Sequence, residues 1–382
     1  MDAGSLRGIA DAAVSPVIGT VLILAIAVLG IAVVVTWGLP AISELKSGTE
    51  LRAVIDQFRD LDASVRALVT GSAGQTSIRW QPSVDAGSVS VSSRGDRWIV
   101  AATLVPGHGF LYGNATGDTA TIAVRNVGAS VPDATMKAWR IVGGQATELR
   151  VYRSTDCSLT LGSTPLSPAW GNDTVNAATA VQTVTFCTNT SVPARVSLHE
   201  GLVRLVVYNA TKVPVESAWF NDLGEVVYQS SLGAATKYIF ATNGALFSGP
   251  LHGLAPQSDL PVSPPHTFVN AAGEETVSLF LRMIEIDGTA SFSGGAGRPG
   301  VFLNLYGTFR LAEEGNVQAV RIYDFGLLRD VWYAHLAETA AGYRFVVREG
   351  TVGAEDVRWI EQTEGSTRFR FTFVHSVVTV VP

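Results

Sequence analysis

The chain has 382 residues and a net charge of −6, from 27 Lys and Arg against 33 Asp and Glu. Only 16% of residues are charged, 47% are hydrophobic and the mean hydropathy is +0.26, whereas soluble globular chains usually carry about 25% charge. This balance excludes a disordered chain. It also excludes a nucleic-acid binder, because no basic face is available to displace phosphate counterions. What remains is a chain partly in a membrane, or one rich in β-sheet with an uncharged polar surface.

No charged residue lies between Asp11 and Glu44. Within that gap residues 17–37 are almost purely aliphatic, reading VIGTVLILAIAVLGIAVVVTW. As a helix, about 21 residues at 1.5 Å each cover the ~30 Å hydrocarbon core of a bilayer. Trp37 then sits where an interfacial aromatic belongs, and Gly38 and Pro40 loosen or kink the helix there. A secretory signal peptide fits less well. Its apolar run is usually about 7–15 residues and ends in a small-x-small site, which is not clear here. No other stretch of the sequence is apolar and long enough to span as a helix.

Residues 11–20 read Asp11-Ala12-Ala13-Val14-Ser15-Pro16-Val17-Ile18-Gly19-Thr20. This segment, with the apolar run behind it, resembles the N-terminus of archaeal type IV pilins and archaellins; the resemblance covers residues 7–37. It implies a class III signal peptide in which residues 1–12 are the leader, Asp11 and Ala12 precede the cut, and Ala13 becomes the mature N-terminus. A partial second match at Arg7-Gly8-Ile9-Ala10 would leave Asp11 inside the mature apolar helix, so the first is preferred. The resemblance also implies a prepilin peptidase as processing partner, and other pilin subunits as partners through the retained helix of residues 13–40. Pro16 biases Ser15 away from the α region, so the helix should begin near Pro16 and leave the cut on non-helical backbone. Arg7 is the one basic residue ahead of the helix in this sequence, and Lys46 and Arg52 come after it. A long translocated domain can override such nearby charge.

Residues 41–70 are predicted as an amphipathic helical spine. Leu51, Ile55, Phe58, Leu61, Val65 and Leu68 recur every three or four residues as one apolar stripe. The helix either joins the anchor to the head or packs on its own β-domain. Ser47, Gly48 and Thr49 predict a break, with Ser47 or Thr49 as a cap.

From about Thr76 the period changes to two, with short Val-, Thr-, Ile- and aromatic-rich runs between turn residues. The fold class expected is a long N-terminal apolar helix followed by a mainly antiparallel all-β ectodomain of one or two β-sandwich-like units. Residues 71–241 form a β-domain and 242–274 a Gly/Pro/Ser-rich connector. Residues 275–382 form a second β-unit or continue the first. In residues 368–381, Phe369, Phe371 and Phe373 share one face while Arg368 and Arg370 take the other. Residues 276–286 and 300–311 are predicted as a long hairpin around a Gly-rich loop at 295–300. That loop matches a dinucleotide fingerprint literally but lacks the strand-to-helix context. Glu313 and Glu314 are placed beside a turn at Gly315.

Cys157 and Cys187 are the only cysteines. On an outward-facing domain they are expected to form a disulfide, worth about 3–4 kcal/mol for that spacing; the alternative is two buried thiols. Sequons begin at Asn114, Asn172, Asn189 and Asn209, each a candidate glycosylation site. The six histidines are dispersed, with no metal-ligand or nucleophile-base spacing, so no metal, cofactor or catalytic residue is assigned and an enzyme is not expected. Glycosidase carboxylates can nonetheless converge from distant positions. The function expected is an archaeal pilin-like protein with an extracellular C-terminal domain, at the cell membrane or in a surface filament. Its size suits a minor, tip or adhesive subunit. One alternative is a non-polymerising anchored ectodomain that binds a ligand or glycan, and a further one is a surface hydrolase.

Overall fold

The computed structural model describes residues 16–72, 74–84, 86–93, 95–115, 120–126, 135–142, 145–153, 159–161, 164–166, 182–185, 194–198, 202–209, 211–231, 236–258, 266–269, 273, 275–293, 300–339, 346–352, 355–363 and 368–381. An N-terminal helix begins at Pro16 and runs without a break to Thr70: α1 (Pro16–Val33), a π turn (Val34–Gly38) and α2 (Leu39–Thr70). At 1.5 Å per residue this rod is roughly 80 Å long. The π turn answers Pro40, whose ring cannot sit beside the carbonyl four residues back in a regular α-helix. Leu39 N–H bonds instead to Val34 O, five residues back, and Thr36 Oγ1 donates to Ala32 O at 2.7 Å. Gly71 ends the rod in the left-handed region (φ 73°), its N–H on Leu68 O.

The predicted break at Ser47–Gly48–Thr49 does not occur. Thr49 Oγ1 donates to Leu45 O at 2.9 Å, so its hydroxyl bonds back along the helix rather than capping a new one. The apolar stripe packs on the β-domain. Val54, Phe58, Leu61, Val65, Leu68 and Val69 are buried, and Leu51 and Ile55 pack partly buried beside them. Phe58 meets Trp80 edge-on at 5.4 Å, and burying such a ring is worth about 1.5–3 kcal/mol. Polar staples reinforce the joint. Ala86 N donates to Glu50 Oε1 (2.7 Å), Ser83 N to Gln57 Oε1 (2.6 Å), and Arg66 Nη2 to Gly244 O (2.6 Å).

Among the described residues the β-region forms four sheets, of eleven, six, five and three strands. Pairing is antiparallel except between Gln182–Thr185 and Gln145–Arg153, and between Glu275–Asp287 and Arg368–Val381. Strands from either side of residues 242–274 share sheets: Ala319–Asp324 pairs with Arg97–Thr103, and Ala290–Ser293 with Ser88–Ser92. Within 242–274, the strand Ala245–Gly249 sends Phe247 into one core and Leu246 into the other.

The predicted hairpin of 276–286 onto 300–311 is replaced by a different order. Arg368–Val381 lies between Glu275–Asp287, parallel to it, and Val301–Val317, antiparallel to it. The physical reason is burial. Phe371 and Phe373 are 0% exposed in the first core, and Val378 and Val380 lie in the second. A strand apolar on both faces gains most at the centre of a sheet. Glu313 and Glu314 are likewise not beside a turn: the strand Val301–Val317 continues through Gly315 with a bulge before Val317.

Two cores result. The first joins Trp98, Trp219, Leu279, Leu281, Phe371 and Phe373 to Trp332 and Leu336 of α3 (Arg329–Thr339). The second joins α2 to the five- and six-stranded sheets through Trp80, Tyr228, Ile284 and Val301.

Candidate functional site

The N-terminal helix carries the clearest functional geometry. It is long and apolar enough to cross a membrane, with a mean hydropathy of 2.7 over its most apolar 18 residues, none of them buried. Val21, Leu22, Ile23, Leu24, Ile26 and Leu29 are each more than half exposed, and Trp37 is 79% exposed. An apolar surface of this size stable in water would have to be covered; a bilayer or neighbouring helices would cover it. The head grips Glu50, which accepts from Ala86 N and Tyr228 Oη. Residues 39–49 therefore form a short stalk between the apolar segment and the sheets.

Asp11, Ala12 and Ala13 lie outside the described residues, as do Cys157, Cys187, Asn172 and Asn189. Asn114 is on the strand Phe110–Ala115. Asn209 sits where Leu202–Tyr208 turns into Pro214–Asp222. Its Oδ1 accepts from Thr211 N (3.1 Å), Thr211 Oγ1 (2.8 Å) and Val213 N (2.9 Å). The turn thus fixes this sequon's side chain with Thr211 against it.

Three polar clusters were not assigned from sequence. In the first, His375 (4% exposed) donates from Nε2 to Glu285 Oε2 at 2.8 Å, and Asn221 Nδ2 donates to the same oxygen at 3.0 Å. The neighbouring Ser376 Oγ is engaged with Thr308 Oγ1, on the opposite face of the strand, so Ser376 does not face the imidazole.

The second is a carboxyl cluster. Asp96 Oδ2 accepts from Trp332 Nε1 (2.8 Å) and Oδ1 from Leu328 N (3.4 Å). Asp324, fully buried, accepts from Gly326 N through Oδ1. Burial drives Asp96 up to about 6. Burial and then the Asp96 charge hold Asp324 well above the carboxylate range and drive Glu225 up to about 7. No group of three or more potential ligands is arranged to hold a metal among the described residues.

These acids take up protons on folding. Their contribution to stability is complete below the ordinary values of 3.8 and 4.5 and is lost as pH rises through about 6 and 7. Calorimetry is expected to find the head melting about 5–10 °C lower at about pH 8 than at about pH 5, from a loss of a few kcal/mol. Glu225→Gln should narrow that gap; a flat profile contradicts the assignment.

The third cluster centres on Arg321. Glu216 is 0% exposed in the strand Pro214–Asp222. Its Oε2 accepts from Thr103 Oγ1 (3.0 Å), Phe110 N (3.1 Å) and Arg321 Nη1 (3.3 Å), and its Oε1 from Tyr112 Oη (2.8 Å). Arg321 Nε reaches Glu361 Oε2 at 3.0 Å, which also accepts from Trp359 Nε1 at 3.0 Å. Burial works against the guanidinium charge, but the Glu216 and Glu361 carboxylates outweigh it and keep Arg321 charged. Beside this cluster a cavity of about 360 Å³ is lined by Leu111, Arg321, Glu349, Gly350, Thr351, Trp359 and Glu361.

No family model, no curated protein and no solved structure matches the chain.

Proposed function

We propose that this chain is an archaeal type IV pilin-like surface protein, anchored or assembled through its N-terminal helix and carrying its β-rich head outward as a minor, tip or adhesive subunit. The observation that supports this most is the exposed apolar helix. It begins at Pro16 of the Ser15–Leu22 run, Ser-Pro-Val-Ile-Gly-Thr-Val-Leu in the sequence, and continues as one rod into the head. Such a rod can leave a bilayer and bundle with copies of itself without rearranging the head, because residues 39–49 separate the two. The second reading is an anchored ectodomain that never polymerises; the lined cavity favours it, since ligand binding needs no filament.

Fractionation of the native host separates the two. The first reading expects the chain both in carbonate-resistant membranes and in filaments sheared from cells. Confinement to membranes favours the second, and a fully soluble chain overturns both.

A further inference from the structure

We propose that Asn209 is N-glycosylated, displayed and oriented by the turn between the strands Leu202–Tyr208 and Pro214–Asp222. The sequon Asn209-Ala210-Thr211 falls where the chain reverses. Asn209 N donates to Val213 O at 3.0 Å, and Lys212 N donates to Asn209 O at 2.9 Å. Lys212 adopts a left-handed φ of 62°. Asn209 is half-buried, while Thr211, Lys212, Val213 and Pro214 are exposed. These exposed neighbours leave room for a bulky glycan, which belongs on a surface loop. Asn114 is placed differently: it lies within a strand, opposite Ile122.

The turn also fixes which end of the amide it holds. Thr211 N, Thr211 Oγ1 and Val213 N donate to one side-chain atom of Asn209, at 3.1, 2.8 and 2.9 Å. Two of these donors are backbone N–H groups, which a carbonyl oxygen accepts and an amide nitrogen does not. That atom is therefore Oδ1, and the three bonds use neither N–H of Nδ2. Nδ2 is the atom that glycosylation substitutes. In that step Nδ2 forms a bond to the anomeric carbon of an oligosaccharide carried on a polyprenyl phosphate. The bond from that carbon to the phosphate oxygen breaks, and the lipid phosphate leaves with its electron pair. One Nδ2 proton passes to a base of the transferring enzyme. As the proton departs, negative charge builds on Oδ1, where the three donors already point. Donors preorganised toward developing charge stabilise it. The bonds of the turn join only Asn209, Thr211, Lys212 and Val213, so it is a local motif that does not need the rest of the head. The inference rests on the reading of an outward-facing head, where such lipid carriers deliver their oligosaccharides.

The test reads the peptide that spans Asn209 by mass spectrometry, in full-length chain purified from its native host, with fragmentation that places the added mass on one residue. The wild type should carry a saccharide mass on Asn209. Thr211→Ser keeps both the hydroxyl and the N–H and should keep the glycan. Thr211→Ala keeps only the N–H and should lower occupancy by roughly tenfold or more. Lys212→Val leaves the sequon intact, but a β-branched residue resists the left-handed φ at that position and should lower occupancy by about twofold or more. Lys212→Gly adopts that φ freely and should keep it. The melting temperature of each variant is measured alongside. An unmodified Asn209 in the wild type overturns the proposal, as does wild-type occupancy in folded Thr211→Ala or Lys212→Val. The mature N-terminus is read from the same preparation. A chain that begins at Ala13 with Asn209 unmodified fails this inference alone, whereas one that keeps Met1 or begins beyond Trp37 fails the anchoring reading.

Discussion

Gly30→Leu is expected to leave export and membrane anchoring intact while lowering the yield of the chain in sheared filaments by about an order of magnitude. In an apolar medium helices associate by packing, and side-chain bulk limits how closely their backbones approach. At about 100° per residue Gly19, Ala27 and Gly30 fall on one side of α1, and Ala25 and Ala32 on another. A Cβ at Gly30 meets nothing within 4 Å in this chain, so the substitution disturbs neither the rod nor the head. Leucine also keeps the segment apolar and is the better helix former. Membrane-fraction and filament yields, compared for wild type and variant, read the two effects apart. Equal filament yields would mean that the helix assembles through another face.

Arg321→Met is expected to destabilise the head by about 3–5 kcal/mol, because it leaves the fully buried Glu216 without its counter-charge. The neutral hydrogen bonds from Thr103, Phe110 and Tyr112 remain but do not replace it. Adding Glu216→Gln should recover a large part of the loss, since the carboxylate itself carries the cost. Urea denaturation of wild type, single and double variants forms the cycle. A single variant as stable as wild type would show that the ion pair is not structural.

The N-terminal helices and the presence of a β-rich region were legible because their signals are local, whereas the short helix Arg329–Thr339 was not read from the sequence. The stripe from Leu51 to Leu68 repeats at the helical period, and Phe371 and Phe373 alternate with exposed Arg370 at the strand period. The order of strands was not legible in the same way. Period two marks which residues share a face, but says nothing about which strand lies beside it, so residues 276–286 and 300–311 read as neighbours. The insertion of Arg368–Val381 between them depends on burial at both faces of a strand far along the chain. The Arg321 cluster was missed for a related reason. Glu216 and Arg321 are 105 residues apart in sequence, and each sits in a strand buried on both faces. A charge within a largely apolar run was the one signal available, since a charge there requires a partner. The carboxyl cluster of Asp96, Asp324 and Glu225 is equally non-local.

The mature N-terminus of the chain, isolated from its native membrane or filament and sequenced by mass spectrometry, tests the central claim most directly. The account predicts a terminal peptide beginning at Ala13, cut after Asp11-Ala12 with the apolar helix retained. A chain that keeps Met1, or one that begins beyond Trp37 with the helix removed, would contradict it.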